Sequence, residues 1–148
     1  SGTYLTSCVV DLSKKFTKKI EKNKFTSSGN IVDYTNYYYD TNSKYEAYYL
    51  SSVLNSKILD DLIKPEQVRG AFGPRHISKI PLKFPIPEFD KNNESHEKLS
   101  LLGILCHEKV EKLLPTLNYR STGKIRNVIR KTLEDDINEI NELVKKIL

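Results

Sequence analysis

The side chains best suited to covalent or acid–base chemistry are few and scattered: His76, His96, His107, Cys8, Cys106, and the neighbouring carboxylates Asp60-Asp61 and Asp135-Asp136. Nucleophilic catalysis needs a base within hydrogen-bond reach of the nucleophile and a third group to orient it. Cys106 and His107 are neighbours on a predicted helix, so their side chains diverge by about 100° and cannot serve one another. No histidine has an Asp or Ser at a recognisable spacing, and the chain has no HExxH, no CxxC and no glycine-rich phosphate loop. The carboxylate pairs fall on predicted helices without an accompanying metal ligand and read as solvated faces or helix pairing. Two cysteines so far apart suit reduced thiols better than a disulfide framework or a zinc site. A complete active site is missing, which turns attention from catalysis to binding.

In place of catalytic groups the chain has clustered positive charge. The formal net charge is only +5 over 148 residues, but the cations are unevenly spread. Asp11–Lys24 holds six lysines against two acids, Lys64–Lys83 five cations against Glu66, and Arg120–Lys131 five cations and no acid. Such patches are the electrostatic footprint of a polyanion partner, although the first, in an irregular polar stretch, reads more readily as a solvated face. The second overlaps RGAFGPRHISKIPLKFPIPEFD, Arg69–Asp90, which has no helical period and carries four of the six prolines.

A reader of duplex DNA needs cations to meet phosphates and hydrogen-bonding side chains on a defined backbone to reach base edges. Lys64, Gln67, Arg69, Arg75, His76 and Lys79 supply both kinds, and Gly70 and Gly73 let the backbone approach closely. Arg69 or Arg75 can take guanine bidentately, Gln67 can read adenine, and Phe72 can meet a thymine methyl or act as a wedge. Against this, Phe72, Ile77, Ile80, Leu82 and Phe84 suit core packing, and Arg75 can pair with Asp60, Asp61 or Glu88. Arg120 and Lys124, beside a predicted helix start, form a second candidate anion contact.

The frame predicted to position these residues is α+β: a small mixed or antiparallel sheet packed on an amphipathic helix, followed by a C-terminal helical hairpin. Strands are expected at Leu5–Leu12 and Ile31–Asp40, separated by a Lys/Ser/Asn loop. Ala47, Leu50, Val53, Leu54, Ile58 and Leu62 step by three and four and predict one helix from Glu46 to Ile63, capped by Asn42 or Ser43 and ended by Pro65. His76–Phe84 is expected as an edge strand that the prolines terminate. A helix follows from about Ser95 to Leu114, and a long one from about Ser121 to Leu148, whose seam from Leu133 to Ile147 has coiled-coil spacing. Charge on that last helix runs the wrong way for the macrodipole, with Arg126, Arg130 and Lys131 early and Glu134, Asp135 and Asp136 in the middle. We therefore expect an α+β unit over residues 1–90 and a helical hairpin or coiled-coil-like segment over 91–148. Composition excludes a transmembrane span and shows no signal peptide, so a cytoplasmic protein without a membrane partner is expected. The opening Ser1-Gly2 and the lack of methionine lead us to expect a piece of a larger protein.

The run EAYYLSSVLNSKILDDLIKPEQVRGAFGPRHISKIPLKFPIPEFD, Glu46–Asp90, resembles the C-terminal region of large adenine-N6 DNA methyltransferases of restriction-modification systems. More loosely, it is similar to target-recognition domains of type I specificity subunits. The shared features are a YYL-x-x-x-LNS helix at Tyr48–Ser56, a glycine-containing loop, a short strand closed by an IPIP-like turn at Phe84–Pro87, and a further helix. The preceding IVDYTNYYYD looks like the strand that enters this helix in the family, and the match covers about residues 31–90. The family's catalytic half lies upstream, with a cofactor-binding glycine motif and an Asn/Asp-Pro-Pro-aromatic motif. This chain has neither.

The resemblance implies a DNA-binding target-recognition fragment that gives sequence specificity without methyl-transfer chemistry. Its partners would be double-stranded DNA and an upstream methyltransferase domain of the same polypeptide. S-adenosylmethionine would be bound in that domain, with no cofactor in the fragment. The alternative is a structural helical module that docks a partner subunit or a second copy through the last helix, without nucleic acid.

Overall fold

The computed structural model of the protein describes residues 5–15, 17–27, 37–66, 68–70, 73–76, 80–118 and 121–148, with the backbone alone at 18–20, 68–70, 73–76 and 82. The chain divides into two compact units, one formed by Ser1–Ser7 with Thr41–Leu148 and the other by Cys8–Asp40. The boundary expected at residue 90 falls inside the larger unit, because helices before and after it share one core.

The described part of the larger unit is mostly helical. It contains α1 (Lys44–Asn55), α2 (Lys57–Ile63), β3 (Val68–Gly70), β4 (Gly73–His76), the single turn α3 (Ile80–Lys83), α4 (Glu94–Leu113), α5 (Thr122–Thr132) and α6 (Glu134–Ile147); the smaller unit supplies β1 (Thr17–Ile20) and β2 (Asn23–Thr26). No sheet packed on a helix is found among the described residues: the described strands form two separate two-stranded antiparallel ribbons, and α1 packs along α4.

The segment expected as the first strand shows why. Residues 5–12 include no strand, yet their start is held as a strand would be. The Asn55 carboxamide accepts from the Ser7 amide at 3.0 Å and donates to the Ser7 carbonyl at 3.0 Å. The buried Asp60 accepts from the Leu5 amide at 3.1 Å. Side chains of α1 and α2 thus replace the ladder partner, so extended-strand residue preferences survive without a sheet. Of the second expected strand, 31–36 lie outside the described residues and 37–40 have no regular structure. Strand β4 ends at His76, and Ile80–Lys83, expected to continue an edge strand, is helical.

The helix expected over Glu46–Ile63 is two helices. Ser43 caps α1, its hydroxyl accepting from the Glu46 amide at 3.2 Å, and Thr41 bonds the Glu46 carboxylate. Ser43 and Glu46 thereby occupy the two positions of a capping box. Ser56 leaves the helical region at φ −69°, ψ 145°. Its hydroxyl donates to the Val53 carbonyl at 2.7 Å and accepts from the Leu59 amide at 3.1 Å, closing α1 and opening α2. One residue out of phase re-registers the buried face: Leu59 and Ile63 are fully buried, whereas Leu62, predicted on the core stripe, is 46% exposed.

Small residues set the α1–α4 crossing. A Cβ at Gly103 would lie 2.7 Å from the Tyr48 carbonyl oxygen and 2.6 Å from the Ser52 hydroxyl, so only glycine fits this approach. Ser52 donates to the Leu99 carbonyl at 2.8 Å, and Ser100 to the Tyr45 carbonyl at 2.8 Å, so the buried hydroxyls are satisfied across the interface. Around them Tyr49, Val53, Leu59, Ile63, Leu99 and Leu102 join Ile140, Leu143 and Val144 of α6 in one core.

The long C-terminal helix is interrupted at Leu133, which takes φ −99°, ψ 12°. The break resolves the charge order. Arg130 and Lys131 fall in the last turn of α5 and Glu134, Asp135 and Asp136 in the first turn of α6, where each sign suits the local end of the dipole. The seam expected to seek a partner is largely covered by the chain's own helices, since Leu133, Ile140, Leu143 and Val144 are buried and α6 packs on α4, α2 and α1.

In the smaller unit β1 and β2 pair from Thr17↔Thr26 to Ile20↔Asn23, and Glu21 turns the hairpin at φ 54°. The sequence reading placed a loop here, because a non-glycine residue with positive φ is uncommon and no Asn-Gly signal marks the turn.

Candidate nucleic-acid interface

Arg69, Arg75 and His76 are carried by the β3–β4 ribbon, whose register pairs Val68 with His76, Arg69 with Pro74 and Gly70 with Gly73, with an irregularity between Val68 and Arg69. Gly70 and Gly73 face one another at the end of the register, where the lack of a Cβ permits close backbone approach. Gln67, Phe72, Lys79 and Arg120, also singled out from sequence, lie outside the described residues.

Both ends of the ribbon segment are rooted in the core. Before it, α2 buries Leu59 and Ile63, and the 3-10 turn Lys64–Glu66 leads out. After it, Pro81 is buried, and Phe84, Ile86 and Phe89 pack against the core. The Tyr49 hydroxyl donates to the Pro87 carbonyl at 2.9 Å, and the Tyr49 ring lies 4.7 Å from His96 and 5.6 Å from Phe89. The His96 Nδ1 accepts from the Asp90 amide at 3.1 Å. Burial pushes the Tyr49 hydroxyl up to about 12, so it stays a donor at physiological pH. The proline-rich exit is therefore fastened at two successive points by buried side chains of α1 and α4.

Lys64 is engaged within the chain. Its Nζ lies 2.6 Å from Asp60 Oδ2 and 3.4 Å from Asp61. Hydrogen bonding to Asp60, with Coulombic support from both carboxylates, raises its pKa. Its charge is answered locally, and it ties the end of α2 to the carboxylate that holds Leu5. Lys124 is exposed in the first turn of α5, and the same helix exposes Arg126 and Lys131, which the sequence reading counted in the acid-free run Arg120–Lys131 without naming them as anion contacts.

The chemistry-bearing residues have structural settings. Burial pushes the Cys106 thiol up to about 11, leaving it protonated at neutral pH and a poor nucleophile. His107 packs edge-on to Tyr48 at 5.0 Å, and burial lowers its pKa. Asp136 holds Lys109 at 2.6 and 2.8 Å, bridging α6 to α4. A cleft of about 460 Å³ brings Lys57, Arg130 and Lys131 beside Asp60 and Glu134, a mixed-sign lining that does not define an anion pocket. Among the described residues no cluster of three or more His, Cys, Asp or Glu is arranged for a metal, and no helix is long and apolar enough to cross a membrane. No family model matches the chain, and neither curated proteins nor solved structures give a match.

Proposed function

We propose that this chain is a DNA-binding target-recognition fragment of a site-specific adenine-N6 DNA methyltransferase, contributing sequence choice and not methyl transfer. The observation that carries the reading is the β3–β4 ribbon, which bears Arg69, Arg75 and His76 between two ends anchored in a helical core. The major groove admits a two-stranded ribbon, and arginine is the side chain best matched to a guanine edge. In this reading the ribbon approaches the groove, Lys64 stiffens its root, and Lys124 meets the backbone. S-adenosylmethionine and the upstream methyltransferase domain belong to the rest of the parent protein, as the resemblance over residues 31–90 implies.

The alternative of a helical docking module rests on the apolar seam from Leu133 to Ile147, of which Leu133, Ile140 and Val144 are buried within the chain and Ile137 and Ile147 half-buried. The test is titration with duplex DNA at several salt concentrations. Binding at low salt that weakens steeply as salt rises is expected. No binding even at the lowest salt, with the fold intact, overturns the proposal.

A further inference from the structure

We infer that α5 is a phosphate-tracking helix that grips the DNA backbone independently of sequence, separately from the β3–β4 ribbon; this rests on the DNA reading above. Helix α5 carries Lys124, Arg126, Arg130 and Lys131 and no acid across Thr122–Thr132. At about 100° per residue, these four and Asn127 share an arc of roughly 160° opposite the side that carries Ile125, Val128 and Ile129. Lys124, Arg126, Asn127 and Lys131 are exposed, while the three apolar residues are half-buried. The helix thus turns Lys124, Arg126 and Lys131 outward, with Arg130 half-buried at the edge of the same arc.

Three lysines of α4 and α6 behave differently. Lys98 pairs with Glu139 at 2.7 Å, Lys109 with Asp136, and Lys145 with Glu142 at 2.7 Å. Among the described residues no ion pair involves Lys124, Arg126 or Lys131. Like-charged neighbours on one face cost stability in an isolated helix, so the pattern calls for an external anion. A membrane-surface helix would present its apolar side to lipid, and a protein interface would centre on aromatic or aliphatic anchors. The outward face of α5 offers neither. Eleven residues make a helix about 16 Å long, which matches roughly four to five phosphates of one strand at 3.4 Å of axis each. Charge and dimension both fit a duplex backbone.

The experiment compares duplex affinity against salt for the full chain and for the triple variant Lys124→Gln, Arg126→Gln, Lys131→Gln. The single variant Arg126→Gln and the charge-matched control Lys112→Gln, Lys145→Gln, Lys146→Gln accompany it, and far-UV circular dichroism verifies the fold of each. The triple variant should flatten the slope of log K against log salt by roughly 2.7, and Arg126→Gln by roughly 0.9. Between 50 and 200 mM salt the unmodified chain should lose about 40-fold more affinity than the triple variant. The loss should be the same on duplexes of different sequence, and the control should keep its slope.

If the unmodified chain binds no duplex, the DNA reading fails and this inference with it. If the chain binds but the triple variant keeps the full slope, α5 alone is excluded. Sequence-dependent loss, or an effect confined to phosphatidylserine vesicles, likewise overturns the assignment.

Discussion

The α1–α4 crossing and the outward face of α5 are both helix surfaces, built from opposite materials. The crossing uses Ser52, Ser100 and Gly103 to bring backbones together and aligns hydroxyls with carbonyls across the gap. The α5 face consists of long cations without a nearby acid on the same helix. The first surface is complete within the chain, whereas the second, in the reading proposed above, is completed by an external anion. The proline-rich segment joins the two kinds of region, since its exit is fastened to the crossing while its start forms the cationic ribbon.

If that division holds, damage to one region should leave the other's property intact. The largest effect is expected for Leu99→Ala, which empties a fully buried position and should cost about 2–5 kcal/mol in denaturant unfolding. DNA affinity per folded molecule should be unchanged. Gly103→Ala should cost about 1–3 kcal/mol by overpacking, because its Cβ would press on the Tyr48 backbone as well as on the Ser52 hydroxyl. Ser56→Ala removes the cap that closes α1 and opens α2 and should cost about 1 kcal/mol.

A pH effect should be weaker and confined to the core. Burial lowers the pKa of His107, with Glu111 opposing. The unfolded ring therefore takes a proton first as pH falls. The neutral ring's contribution is present above about 6.5, the unfolded value, and is lost as pH falls through the lower folded value. The stability measured between pH 7 and pH 5 should decline, and His107→Phe, which keeps an aromatic ring against Tyr48, should flatten that decline.

The sequence made the core elements legible where period and capping agreed. Helix α4 ends within a residue or two of its expected limits, and Ser43 caps α1 as predicted. The breaks at Ser56 and Leu133 were harder, because an apolar stripe of threes and fours continues through them. Local signals were nevertheless present: Asn55-Ser56 is a pair suited to capping, and the reversed charges around Leu133 are favourable only if two helices meet there. The strand at Leu5–Leu12 was misread because its local preferences were right while its partner was a side-chain amide. On the candidate site, the sequence marked the cationic ribbon but not Lys64's engagement with Asp60, although the i,i+4 spacing was a local signal for it.

The central claim is that a self-sufficient helical core presents a DNA-reading ribbon. The most direct measurement of it is unfolding midpoint and duplex affinity taken on one preparation of the double variant Arg69→Ala, Arg75→Ala. The account predicts an unchanged midpoint and a loss of duplex affinity of at least about tenfold, the scale of one good arginine contact. Unchanged affinity, or a collapse of the midpoint, would contradict it.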